Sequence, residues 1–172
     1  PIQLDKHHIH GDDYVSYFQS DTPLPTTQAT RIRPELPEDV DDILNTVVDI
    51  SPGFLQAEYC IVLLWEDKSQ HYRCAAISGV DTRTAADLQE QPLAQSEAKD
   101  LEWVRRLGHC VLIPSEKEHL ALAEIDNNVL AAPLRSGNDF YGVIEFAGKT
   151  APDGFTQHDL RIADGIAGQA AV

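Results

Sequence analysis

Two apolar segments near the end of the chain, joined by a short polar turn, constrain its fold most. Residues 128–134 and 140–147 are rich in aliphatic and aromatic side chains, whereas residues 135–139 between them read Arg-Ser-Gly-Asn-Asp. This length and composition are typical of a hairpin loop, so the two segments are predicted to be antiparallel strands. Strands of this kind need neighbouring strands and a covering layer to bury their apolar side chains.

A helix is predicted directly after this hairpin. Thr156 is a candidate N-cap, and Asp159 follows three residues later, which is an acidic variant of the capping box. Phe155 and Leu160 have the spacing of a hydrophobic staple. The apolar face continues from Leu160 to Ala170, so the helix is expected to extend to the end of the sequence and beyond it in a longer parent chain.

The first firm element is a predicted helix that begins at Pro37. Proline suits the first helical turn, and the acidic side chains within residues 38–42 complement the helix dipole there. An amphipathic stripe runs from Val40 to Val48. The Ser-Pro-Gly sequence at 51–53 is expected to interrupt or kink the helix.

Between these ends, hydrophobic periodicity and turn residues predict further strands, helices and one loop. In chain order they are a strand at 59–65, a turn at 67–70, a strand at 71–79, a polar loop at 81–95, a helix at 96–107 ended by Gly108, a strand at 109–113 stopped by Pro114, and a short helix at 116–124. Because the strands occur in adjacent hairpins, an α+β fold is favoured, with an antiparallel sheet and helices on its faces.

Residues 1–36 are predicted to be an N-terminal extension or linker that is partly ordered at best. They lack sustained periodicity and carry Pro23, Pro25 and Pro34. His7, His8 and His10 form the densest group of potential metal ligands in the chain. A compact group in such a segment defines no coordination geometry, so adventitious metal binding is favoured over a zinc site.

The charge of the chain argues against two classes of partner. There are 13 Lys and Arg residues against 28 Asp and Glu, a formal net charge of -15. A field of this sign repels nucleic acid and anionic lipid, so neither partner is expected. The longest apolar run, residues 60–65, is too short to span a bilayer.

The three cysteines indicate a reducing, cytoplasmic location. Cys60, Cys74 and Cys110 each lie inside an apolar, strand-like run, and no CxxC motif is present. Free cysteines in such runs behave as small core side chains.

Four segments in the closing third resemble the GAF family. They are Val-Leu-Ala-Ala-Pro-Leu at 129–134, Tyr-Gly-Val-Ile-Glu-Phe at 141–146, Gly-Phe-Thr-Gln-His-Asp-Leu at 154–160 and Ile-Ala-Gly-Gln-Ala-Ala at 166–171. The opening helix and the strands at 59–65 and 71–79 occur in the family's order, so the resemblance covers about residues 37–172. It implies a central antiparallel sheet of five or six strands. The N- and C-terminal helices would pack on one face, and loops and short helices would form a small-molecule pocket on the other.

The resemblance also implies a function. GAF domains commonly act as sensors that bind cyclic nucleotides, bilins, haem or other small ligands. They control attached histidine kinase, cyclase, phosphatase or transcription-activating domains. For this chain the expectations are an unidentified small ligand, an attached output domain and a homodimer, with no catalytic residue, no metal site and no assigned cofactor.

The predicted pocket residues are Trp103, His109, Cys110, His119 and Glu145. His109 and His119 lie in the part of the chain that usually lines the family's pocket, and either could ligate haem iron, although ordinary polar histidines are favoured. A bilin is disfavoured because His109 precedes Cys110, the reverse of the usual order. The family's cyclic-nucleotide signature is not recognisable. Glu145 is the one acidic residue in an apolar strand.

Two alternative functions remain. One is a thiol enzyme similar to free methionine sulfoxide reductase, in which Cys60 and Cys74, on neighbouring predicted strands, could approach each other. Their apolar surroundings raise a thiol pKa, however, and the motif of that enzyme is absent. The other alternative is a ligandless scaffold that only dimerises.

Overall fold

A computed structural model describes residues 40–114 and 128–171. The elements in this part of the chain are α1 (Val40–Leu55), β1 (Tyr59–Glu66), β2 (His71–Ser78), α2 (Thr82–Glu90), β3 (Leu93–Ala94), α3 (Lys99–Leu107), β4 (Val111–Pro114), β5 (Asn128–Ser136), β6 (Asp139–Ala147) and α4 (Gln157–Ala170). The strands form one six-stranded antiparallel sheet in the order β3-β2-β1-β6-β5-β4. The predicted α+β fold is confirmed.

The two faces of the sheet are covered by different helices. On one face, Leu44 and Val48 of α1 and Ala163 and Ala167 of α4 share a core with alternate residues of the central strands. On the other face, α3 packs its buried residues against the intervening strand positions. The predicted placement of the N- and C-terminal helices on one face is therefore confirmed, and the alternation of strand side chains supplies both cores.

Helix α1 continues through Pro52 to Leu55, so residues 51–53 do not interrupt it, and of the predicted interruption or kink the interruption is wrong. Proline lacks the N–H that would bond to the carbonyl of Val48, four residues earlier. The Ser78 hydroxyl of β2 donates to that carbonyl at 2.5 Å instead. A residue distant in sequence thus satisfies the acceptor that proline leaves open. The predicted helix start at Pro37 lies outside the described residues.

The predicted loop at 81–95 is also wrong, because it contains helix α2 and strand β3. Asp81 caps α2 by accepting hydrogen bonds from the N–H groups of Arg83 and Thr84 at 2.9 and 3.1 Å. The helix buries none of its residues completely. Its inward side is only half-buried, with Leu88 packed against the core, and its capping residue is the local cause of its start.

Several element ends differ by a few residues from the predictions. β5 and β6 extend to Ser136 and Asp139, so the hairpin turn is shorter than the predicted 135–139 loop, with Gly137 at φ 59°. Helix α3 begins at Lys99, not at 96, and β4 begins at Val111.

Two local predictions about helix ends are confirmed. Gly108 ends α3 in the left-handed conformation, at φ 69°. Thr156 and Asp159 form the reciprocal capping box of α4. The predicted extension at 1–36 and the short helix at 116–124 lie outside the described residues. Within 40–114 and 128–171, none of the helices is long and apolar enough to cross a membrane.

Candidate functional site

A groove of about 530 Å³ lies beside strand β4, and three of the predicted pocket residues line it. These are Trp103 of α3 together with His109 and Cys110, which connect α3 to β4. The remaining lining residues come from β4 and from the start of α4: Val111, Leu112, Phe155, Thr156, Gln157 and Leu160. We call this feature the β4 groove. Its size is within the range of small-molecule sites.

The connection between α3 and β4 is held in place by two hydrogen bonds, each between a side chain and a backbone group. His109 is exposed, and its Nδ1 donates to the carbonyl of Leu107 at 3.0 Å. The N–H of Cys110 donates to Oδ1 of Asp164 in α4 at 2.8 Å. The wall of the β4 groove is therefore attached directly to the C-terminal helix.

Cys110 lines the groove, but its thiol is not activated. The residue is buried in the core between the sheet and the terminal helices. Burial, and then the negative charge of Asp164, raise the pKa of this thiol to about 12. A nucleophilic cysteine needs the opposite shift, because the thiolate is the reactive form.

The other two cysteines cannot form a reacting pair. Burial, and then the charge of Glu145, raise the pKa of Cys60, and burial raises that of Cys74 to about 11. Cys60 belongs to the core below α1 and α4, whereas Cys74 belongs to the core below α3. The expectation that they could approach each other is wrong, because neighbouring strands place them on opposite faces of the sheet. The thiol-enzyme alternative gains no support.

The histidines give no more support to a haem site. His109 lies at the exposed side of a shallow groove, whereas a haem needs an axial ligand inside an enclosing apolar pocket. His119 lies outside the described residues. Within the described ranges, no group of three or more His, Cys, Asp or Glu side chains is arranged to hold a metal ion.

Glu145 does not line the β4 groove with the other candidates. It lies in the middle of β6, paired with Ile61 of β1 and Ala131 of β5, and it is fully buried on the α3 side of the sheet. Neither carboxyl oxygen has a hydrogen-bond partner among the described residues. Burial, and then the charge of Asp100, raise the pKa of Glu145 to about 8. We call Glu145 and Asp100 the buried carboxyl pair.

Asp100 and Asp164 are site residues that the sequence analysis missed. Asp100 lies four residues before Val104 on α3, so the helical period could have placed it on the buried face. Asp164 gave no comparable indication, because it is an exposed residue next to Ala163. Its role depends on a contact with Cys110 that only the folded chain brings about.

A cluster of aromatic and charged residues fixes α3 on the sheet. Tyr72 of β2 donates its hydroxyl to Oε1 of Glu102 at 2.6 Å, and Gln95 donates to Oε2 at 3.0 Å. The Arg105 guanidinium lies 4.6 Å from the centroid of the Trp65 ring. All of these polar groups have partners, so this cluster positions α3 and leaves the buried carboxyl pair as the unusual feature of this face.

Comparisons with known proteins give one consistent result. A family model described as "GAF domain" matches residues 39–172. Among solved structures, the GAF domain/HD domain protein from Geobacter sulfurreducens is similar with a TM-score of 0.66 and 18% identity, covering 77% of this chain and 90% of that one. The GAF domain of a phosphoenolpyruvate-protein phosphotransferase from Acinetobacter is similar with a TM-score of 0.64 and 19% identity, covering 78% and 80%.

A methyl-accepting chemotaxis protein is a third similar structure, with a TM-score of 0.64 and 14% identity, covering 77% of this chain and 87% of that one. At these identities the structural likeness shows the fold. No match was found among proteins with curated descriptions.

Proposed function

The chain belongs to the GAF family, and from that premise we propose that it is the sensory or regulatory domain of a cytoplasmic signalling protein. A small ligand bound beside the sheet, or a second copy of the chain, would change the arrangement of α1 and α4. Those helices would in turn control an attached output domain such as a histidine kinase, cyclase, phosphatase or transcription activator. Similar folds in a chemotaxis protein and a GAF/HD protein support a signalling context.

The hydrogen bond between Cys110 and Asp164 is the observation that carries this proposal. It joins the wall of the β4 groove to α4 at 2.8 Å. A ligand that moves the connection after Gly108 must therefore move α4 or break this bond. The raised pKa values of the three thiols favour this binding role over a thiol reaction.

Native mass spectrometry and absorbance of the purified chain test for a bound small molecule. The variant Gln157→Trp places a large ring in the β4 groove and is expected to reduce occupancy at least tenfold. His158→Trp is the matched control, because His158 is exposed on the same helical turn and does not line the groove. Equal occupancy in the two variants would place the ligand elsewhere. A chain without any bound molecule would favour the ligandless scaffold.

Exposed apolar residues on α1 support dimerisation. Val40, Ile50 and Phe54 expose 61%, 56% and 65% of their surface. Side chains of this kind on one helix are typical of a surface covered by another molecule. In a twofold dimer the same α1 surface of a second copy would cover them.

Sedimentation equilibrium measures this association. Phe54→Asp is expected to weaken the dimer at least tenfold, because it places a charge in the contact. Tyr141→Asp is the control, since Tyr141 is an exposed aromatic residue of β6, with 43% of its surface exposed, away from α1. A monomeric wild-type chain, or equal effects of the two variants, would contradict dimerisation through α1.

A further inference from the structure

Strand β4 is an edge of the described sheet, where it pairs with β5 alone. Opposed residues of an antiparallel pair alternate between hydrogen-bonded and non-hydrogen-bonded positions, so half of the β4 residues direct their N–H and C=O groups away from β5. Among the described residues, no backbone hydrogen bond joins those outward groups to another element. The free side of β4 is therefore a row of open donors and acceptors.

The sequence of β4 lacks most of the features that keep an edge strand from pairing. Native edges are protected by shortness, by charged side chains or by proline. At the opposite edge of the sheet, β3 consists of two residues only. β4 has four, Val-Leu-Ile-Pro at 111–114, with no charged side chain and with proline only at its end. Such a strand is suited to pairing with another polypeptide.

The β4 groove has walls from both layers that cover the sheet. Trp103 packs against the core on the α3 side, to which Val111 of β4 also belongs. Phe155 and Leu160 belong to the core on the α4 side. The groove therefore follows the edge of the sheet, with β4 as its floor and one wall from each layer. A strand paired with β4 would direct successive side chains alternately to these two walls.

The groove is apolar and uncharged on a strongly acidic chain. Leu112 of β4 lines it and is 37% exposed. None of the described lining residues is Asp, Glu, Lys or Arg, although the chain has 28 Asp and Glu residues and a net charge of -15. A basic segment would be attracted to the acidic surface elsewhere, whereas an uncharged segment matches this groove.

We propose that β4 binds an extended, uncharged peptide segment of a partner protein, which adds a strand to the edge of the sheet. The segment would form backbone hydrogen bonds with the outward groups of β4. Its alternate apolar side chains would contact Trp103 on one side and Phe155 and Leu160 on the other. The four residues of β4 span about 13 Å, so a segment of about four or five residues pairs with the whole strand.

The shape of the edge favours a peptide segment over a second copy of the chain. A contact between two four-residue strands is much smaller than the roughly 800 Å² per partner of a stable protein interface. A second β4 would also bring its own Trp103 and Phe155 walls against those of the first copy. An extended peptide has no such walls and enters between them.

This inference rests on the proposed regulatory function, for which it names a partner at the same groove. Cys110 directly precedes β4, and its N–H donates to Asp164 of α4 at 2.8 Å. A strand paired with β4 would hold this connection and would contact the start of α4 at Phe155. Binding of the segment would therefore favour one position of α4.

Isothermal titration calorimetry with a synthetic peptide tests the surface. The probe is acetyl-Ser-Val-Phe-Val-Ser-amide, which is uncharged and contains residues that favour strands. We expect saturable binding to the whole chain with a Kd of about 1 mM or below. The same peptide with a methyl group on every backbone nitrogen lacks the N–H donors and is expected to bind at least about tenfold more weakly.

Amide hydrogen exchange, followed by NMR of the isotope-labelled chain, gives the signature of strand pairing. At saturation with the probe peptide, at least one amide of β4 is expected to exchange at least about tenfold more slowly. The amide of Ser69, in an exposed turn, is expected to exchange at an unchanged rate. This measurement uses the wild-type chain, so it does not depend on the folding of any variant.

Two leucine variants locate the surface. Leu112→Lys places in β4 the kind of charge that protects native edge strands and is expected to weaken probe binding at least about tenfold. Leu107→Lys is the matched control, because Leu107 is 38% exposed, against 37% for Leu112, and does not line the groove. It is expected to leave the Kd unchanged. Circular dichroism establishes that both variants are folded.

Four results would overturn the proposal. Three are the absence of saturable heat from wild-type chain, equal affinity for the methylated and unmethylated peptides, and equal affinity of the two leucine variants. The fourth is a wild-type dimer that Leu112→Lys dissociates in sedimentation equilibrium, which would assign the edge to a second copy. The regulatory function survives these results if the chain carries a small molecule or dimerises through α1, so the two failures are distinguishable.

Discussion

Replacing Asp159 with alanine removes a carboxylate that serves both terminal helices. It accepts the Thr156 N–H at 2.7 Å and thereby caps α4. It also accepts a bond from Lys149 Nζ at 3.0 Å, and the same ammonium donates to the carbonyl of Leu55 at the end of α1, at 2.6 Å. Both side chains of the ion pair are nearly inaccessible to water. The substitution therefore leaves a buried cation between the helices.

The expected loss of folding free energy is about 3 kcal/mol. Loss of a helix cap costs about 1 kcal/mol, and removing one partner of a buried ion pair costs about 3–5 kcal/mol. The two contributions overlap because one carboxylate makes both contacts. In the variant, Lys149 still donates to the carbonyl of Leu55, and 9% of its side-chain surface is exposed to water. Because its charge keeps this partial compensation, the total loss is expected at the lower end of the range.

Urea unfolding followed by circular dichroism measures this loss. With a slope of about 2 kcal/mol per molar, the midpoint is expected to fall by about 1.5 M without a change of slope. Asp153→Ala is the control and is expected to change stability by less than about 0.5 kcal/mol. Asp153 is exposed and lies three residues before Thr156, the N-cap of α4. In a Lys149→Met background, Asp159→Ala should cost only about 1 kcal/mol, the capping contribution.

An equal midpoint for Asp159→Ala and Asp153→Ala would refute the reasoning. The pH dependence provides a second check. Burial raises the pKa of Asp159, but the bonds from Thr156 and Lys149 outweigh it and hold the pKa below its ordinary value. The stabilisation is thus present above about pH 4 and is lost as the pH falls further.

Three other predictions concern single residues. The pKa of Glu145 is about 8 in the folded chain and about 4.3 in the unfolded chain, so folding is favoured by the protonated form. As the pH rises from 5 to 8, the wild-type chain should therefore lose up to about 1.4 kcal/mol of stability per pH unit relative to Glu145→Gln. Urea midpoints of the two chains measure this difference. Ser78→Ala removes the hydroxyl that donates to the Val48 carbonyl, and it should lower the free energy of unfolding by about 1–3 kcal/mol. Ser69→Ala, at an exposed turn, should lower it little. Equal losses in the two variants would contradict the role given to Ser78. Gly79→Ala should destabilise the chain by at least about 2 kcal/mol more than Gly137→Ala, as measured by thermal unfolding. Both glycines have a positive φ, but only at position 79 would a Cβ lie 2.0 Å from a backbone oxygen, that of Glu58.

Local sequence patterns predicted much of the fold correctly. The antiparallel strand pairs and the cap of α4 follow from patterns contained within one element or one hairpin. The placement of both terminal helices on one face of the sheet was implied by the resemblance to the GAF family. The failures at Pro52 and at residues 81–95 have different causes. At Pro52 the missing hydrogen bond is replaced by Ser78 from another element. Residues 81–95 form a short helix on a surface, where capping by Asp81 counts for more than hydrophobic periodicity.

The predicted pocket residues do not all lie together in the structure. Trp103, His109 and Cys110 do lie together along the β4 groove. Glu145 lies elsewhere, inside the sheet, because strand alternation directs it towards α3. Whether any of these residues contacts a ligand stays a prediction, to be tested by the experiments above.

The sequence by itself determined the elements whose causes are local: the hairpin strands, the Gly108 helix end and the Thr156 capping box. Hydrophobic periodicity and capping depend on residues a few positions apart, so they can be recognised along the chain. Only the tertiary structure decided which distant groups meet. It separated Cys60 from Cys74 by the sheet, joined Cys110 to Asp164, and placed Asp100 near Glu145 in an apolar core. The reactivity of a thiol or carboxyl depends on such neighbours and on burial, which strand register and helix packing establish only in the folded chain.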